Sequence, residues 1–161
     1  MPFPVISCLT SGRISGVDIF AVHLTEGLRR RGYDARILLT NPDREELDNL
    51  PLPTHVPIDT LPEPSRRKRR YRRRALREYL IERSPCIYLP NYDYDHSPIV
   101  AQLPPVVHAV GILHSDDPMH YDHLRVLGAF WDGVVGVSDA IGESARRIGK
   151  FGERLRVIPY G

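Results

Sequence analysis

Val106-Val-His-Ala-Val-Gly-Ile-Leu113 is a nearly unbroken apolar run. A run of that length and β-branched character reads as a strand, and without polar alternation it must be covered on both faces. Doubly covered strands belong to parallel sheets, whose crossovers place helices on each side. The rest of the chain supplies the parts. Further strands are predicted at Pro4–Leu9, Tyr33–Leu39, His55–Ile58, Cys86–Pro90, Gly133–Val137 and Leu155–Pro159. Apolar residues at helical spacing predict helices over 17–31, 65–83, 119–131 and 140–149, with a short one over 97–103. The helix from Pro64-Ser65 takes its apolar stripe from Tyr71, Ala75, Leu76, Tyr79 and Leu80, and Arg44–Asn49 reads as a single helical turn. This alternation specifies the α/β class: a doubly wound, Rossmann-like parallel sheet in one domain over residues 1–161. Pro57 consigns the His55–Ile58 strand to an edge.

Two cysteines, Cys8 and Cys86, both fall within strand-like runs and read as buried free thiols of a reducing compartment. No apolar run approaches the length of a membrane span, and Met-Pro-Phe-Pro lacks the basic start of a signal peptide. The expected location is the cytoplasm. The net charge of +2 conceals an asymmetry, because residues 66–77 carry nine Lys/Arg and no acid, leaving the remainder at −7. Arg66, Arg67, Lys68, Arg69, Arg70, Arg72, Arg73 and Arg74 lie in this run. A solvated surface helix explains it, and so does a patch that docks on the inner face of an anionic membrane. The acidic remainder argues against a dedicated nucleic-acid binder.

Three stretches could carry chemistry. The first strand runs into Ser11-Gly-Arg-Ile-Ser-Gly-Val-Asp18, where Gly12 and Gly16 admit close backbone approach and a helix N-terminus attracts anions. Ser15 with Asp18 forms a capping-box variant, and plain turn chemistry is the competing reading. Asn91-Tyr-Asp-Tyr-Asp-His96 follows a strand at the sheet edge where ligands gather, although Asn and Asp also make turns. His114-Ser-Asp-Asp117 ends the long strand with an imidazole and two carboxylates, and Asp116 or Asp117 could simply cap the next helix. His114, Asp116, His120 and His123 form only a weak metal pattern. A serine hydrolase lacks its G-x-S-x-G elbow.

Taken together, these stretches resemble the retaining family-4 glycosyltransferases of GT-B fold. The loop S-G-R-I-S-G-V-D stands where that family has a Gly-Gly-x-Glu-like loop, and R-R-R-G-Y-D-A-R-I-L-L matches the ending of its first βαβ unit. G-I-L-H-S-D-D stands where the family places a histidine. V-V-G-V-S-D-A-I-G-E-S to R-V-I-P-Y-G looks like its "VSe…VIPNG" interdomain junction. The chain departs from the family pattern at Arg13-Ile14-Ser15, which replaces the second loop glycine, and at Asp18, where Glu is commoner.

The resemblance implies the N-terminal, acceptor-side half of a hexosyltransferase, with the C-terminal donor-binding domain absent and these residues alone inactive. It implies a nucleotide-diphosphate sugar as donor, no metal ion, and a sugar or lipid-linked acceptor. By the same resemblance Gly12, Arg13, Ser15 and Gly16 would close on the donor diphosphate, and His114 would be the catalytic contact to the transferred sugar. Asn91, Tyr92, Asp116, Asp117 and Ser138 would line the cleft. The alternative is a stand-alone Rossmann-like module that docks on anionic membrane or nucleic acid through its basic helix.

Overall fold

The computed structural model describes residues 3–11, 15–42, 55–62 and 68–160. Gly12, Arg13, Arg66 and Arg67, the expected helical turn in 44–49 and the expected helix start at Pro64-Ser65 lie outside the described residues. The elements are β1 (Val5–Leu9), α1 (Gly16–Arg30), β2 (Ala35–Leu39), β3 (Ile58–Thr60), α2 (Lys68–Glu82), β4 (Cys86–Leu89), a 3-10 helix (Ser97–Gln102), β5 (Val107–Leu113), α3 (Pro118–Leu127), β6 (Gly133–Gly136), α4 (Asp139–Ile148) and β7 (Leu155–Val157). Short 3-10 turns follow α3 and precede β7.

All strand pairs are parallel, in the order β3-β2-β1-β4-β5-β6-β7. The chain winds outward from β1 in one direction and later in the other. The carboxyl ends of β1 and β4 therefore flank the topological switch point, the usual ligand crevice of open α/β sheets. The doubly wound reading of the sequence is the observed fold. β3 takes the expected edge position but spans Ile58–Thr60, so Pro57 precedes the strand instead of lying within it.

Local chemistry sets the boundaries. Ser15 and Asp18 form the expected capping box at the start of α1, with the Asp18 carboxylate accepting from Ser15 N–H at 2.9 Å. Gly32 ends that unit at φ 84, a left-handed conformation that β-carbons disfavour. Asp117 caps α3 by accepting from Met119 N–H at 2.8 Å, and Ser138 caps α4 by accepting from Ile141 N–H. The larger apolar core joins β1, β4, β5 and β6 to α2, α3 and α4 through Ile6, Leu76, Leu80, Tyr88, Leu124 and Ile141. A smaller one joins α1 to β1 and β2 through Ala21, Leu9 and Ile37.

The buried stripe of α2 differs from the expected one. Arg72, Leu76 and Leu80 face inward, whereas Tyr71 is 39% exposed. The Arg72 guanidinium reaches the end of β2 and donates to the Thr40 carbonyl. Thr40 in turn donates from its N–H to Leu9 C=O at 2.9 Å, and Asn41 N–H donates to Thr10 C=O at 2.7 Å. Burial with a carbonyl acceptor turns this arginine from a surface charge into a structural tie. Cys8 and Cys86 are both free and buried, as expected.

Candidate active site at the switch point

Asn91 leaves β4 at φ 45, a left-handed conformation that asparagine tolerates better than most residues. Its amide nitrogen faces Ser7 Oγ at 2.9 Å, Cys8 C=O at 3.0 Å and Leu89 C=O at 3.4 Å. Oxygen acceptors on that side fix the orientation of the amide, so Oδ1 points toward His114 Nε2, 3.0 Å away. An amide oxygen only accepts, and the proton on His114 is thereby assigned to Nε2. Burial, with a smaller contribution from His120, pulls the His114 pKa down to about 3. The imidazole is neutral at ordinary pH, and its Nδ1 presents a lone pair.

That lone pair meets the Tyr160 hydroxyl. Burial pushes the Tyr160 pKa up to about 12, so the phenol keeps its proton and donates it to Nδ1. Aromatic rings enclose the imidazole. Phe20 meets it edge-on at 5.1 Å between centroids, and Tyr92 stacks beside it at 5.7 Å. Tyr92 also packs on His120 at 4.4 Å and bonds Ser115 Oγ at 2.9 Å. Phe20 and Tyr160 further line an apolar groove of about 860 Å³ beside α1, together with Leu24, Ile112 and Val137.

Asn91, Tyr92 and His114 thus come together, joined by Ser115. Asp116 and Asp117 do not join them: Asp116 accepts from the Tyr121 hydroxyl and Asp117 caps α3. Ser138 is occupied as the α4 cap. Ser15 and Gly16 stand at the start of α1, and Gly16 also lines the apolar groove. The basic run divides. Arg69, Arg70, Arg73 and Arg74 share one surface, Arg72 is buried away from it, and Lys68 lies in the first turn of α2.

The histidines disperse into separate partnerships. His96 Nδ1 pairs with buried Asp93 at 2.7 Å, and His123 Nε2 faces Ser97 Oγ. Among the described residues no group of three or more His, Cys, Asp or Glu is placed to hold a metal ion. Tyr160 and Phe20 are the site residues that sequence reasoning did not single out. The available signal for Tyr160 was its place in R-V-I-P-Y-G, where the resembled motif has asparagine.

Comparisons with known proteins bear on this arrangement. Residues 14–161 match the sequence profile of Glycosyltransferase Family 4. No curated protein matches the chain by sequence. Among solved structures, HepE from Anabaena in complex with UDP and glucose superposes with a TM-score of 0.69 at 19% identity. A second HepE structure, with UDP, gives 0.67 at 18%. A glycosyltransferase from Rickettsia africae gives 0.59 at 10%. In each case 99% of this chain is covered but only 43–45% of the other, so the chain spans less than half the length of the proteins it resembles. Likeness at this identity concerns the fold.

Proposed function

The chain belongs to Glycosyltransferase Family 4, and from that premise we propose that it is the N-terminal, acceptor-side half of a retaining, nucleotide-sugar-dependent hexosyltransferase. A C-terminal domain supplies most of the donor contacts in this reading. The partial coverage of HepE supports that division, and HepE's UDP and glucose support a nucleotide-sugar donor.

The observation that carries the proposal is the Asn91–His114–Tyr160 hydrogen-bond chain at the switch point. Because Asn91 holds the Nε2 proton, His114 meets substrate as an acceptor at Nδ1. In this reading the Tyr160 phenol gives way to a hydroxyl of the transferred sugar when the cleft is filled. A neutral acceptor there positions the sugar without placing positive charge beside an oxocarbenium-like centre. The half-buried ring of Tyr92 offers an apolar face to a sugar ring. The N–H groups of Gly16 and Val17 at the start of α1, with Gly12 and Arg13 ahead of the Ser15 cap, receive the departing diphosphate. No step in this scheme uses a metal ion.

The test is transfer by the enzyme completed with its donor domain. His114→Ala lowers turnover by about 100-fold or more, and unchanged turnover removes His114 from the mechanism. Robust sugar transfer by the 161 residues alone would contradict the division into two halves.

A further inference from the structure

The exposed face of α2 and the neighbouring face of α3 form one surface with two characters. Arg69, Arg70, Arg73, Arg74 and Arg77 line a groove of about 790 Å³ against the 3-10 helix, and among the described residues no carboxylate lines it. A second groove of about 310 Å³ shares Arg69, Arg73 and Pro98 with the first and extends to Met119 and Val126. Those two apolar side chains are 57% and 69% exposed. Nearby acids engage only part of the charge: Arg69 pairs with Asp95 at 2.6 Å, Arg74 with Glu78, and Asp122 with Arg125. A solvated helix needs the charges but not the apolar neighbours. A free polyanion does not need them either.

We propose that this surface docks the protein on an anionic bilayer. The α2 arginines meet lipid phosphates, while Met119 and Val126 enter the headgroup region. The second groove also includes Tyr94, whose ring packs on Tyr92 at 5.6 Å between centroids, and Tyr92 stacks on His114. The docking surface therefore adjoins the switch-point site. Docking itself does not rest on the proposed function.

The experiment is co-sedimentation of the full chain with vesicles of phosphatidylcholine alone or mixed equally with phosphatidylglycerol. The protein sediments with the anionic vesicles and is released by high salt. Arg70→Glu with Arg74→Glu lowers partitioning about tenfold or more, and Met119→Ser with Val126→Ser lowers it about fivefold. All four positions are exposed, and unchanged thermal unfolding of each pair shows that the fold is intact. Equal sedimentation with both vesicle types overturns the proposal, as does no sedimentation at low salt. Displacement by soluble pyrophosphate or an oligonucleotide, with the Met119/Val126 pair silent, also overturns it in favour of a soluble polyanion. Loss of docking with sugar transfer intact leaves the proposed function standing.

Discussion

Two regions of the molecule hold their polar groups in opposite ways. At the switch point each group has a particular partner: Asn91 Nδ2 has Ser7, Cys8 and Leu89, Oδ1 has His114, and Nδ1 has Tyr160. On the outer face of α2 five arginines line one groove, so each shares its task with others. Buried partnerships make single residues decisive, because a lost partner leaves a desolvated group behind. Exposed charges are screened and interchangeable. The first region encodes geometry and the second encodes a field.

The contrast is sharpest under acid. Burial pulls His114 down to about 3 and His120 to about 4, from an ordinary 6.5. Below pH 6.5 the unfolded chain takes up protons that the folded site refuses, so stability falls as pH falls. The slope approaches about 1.4 kcal/mol per pH unit for each histidine until its folded pKa is reached. The arginines do not titrate in this window. Urea unfolding between pH 7 and 4 measures the slope, and replacing both histidines by Phe removes most of it, leaving the part due to His123, which burial also pulls down. A slope undiminished by the replacement would place the titration elsewhere.

Next in size is Asn91→Leu, which removes the amide and forces a branched residue into positive φ, costing about 2–4 kcal/mol. Asn91→Gly recovers the backbone part alone, and the difference between their urea midpoints separates the two contributions. Gly16→Ala probes the loop side: an added Cβ meets nothing within 4 Å. Stability should therefore hold, while turnover of the completed enzyme falls about tenfold because the methyl group occupies the diphosphate's approach. Arg70→Ala is the smallest effect, within about 0.5 kcal/mol of the parent. A larger loss would show that the basic face is structural, and the comparison would break on that side.

The sheet was legible because its signals are local. The Val106–Leu113 run, the Ser15–Asp18 box and Gly32 each act within a few residues, and each appears where the pattern put it. The site was legible in part. Asn91, Tyr92 and His114 follow strand ends that the topology brings together. Asp117 and Ser138 cap helices and Asp116 accepts from Tyr121, partnerships that composition alone does not separate from a cleft role. Tyr160 was not legible as a partner of His114, since their contact spans 46 residues and depends on the ring packing of Phe20. Arg72 was hidden for a related reason: within a run of like charges, nothing local marks the one that turns inward.

That inward arginine has a mechanical consequence. Arg72 grips Thr40, Thr40 is bonded to Leu9, and Asn41 is bonded to Thr10, which leads into the loop before α1. The helix that carries the basic face is thus laced to the root of the loop assigned to the diphosphate. An Arg72→Ala change therefore acts at the root of that loop as well as on the helix that carries the charge.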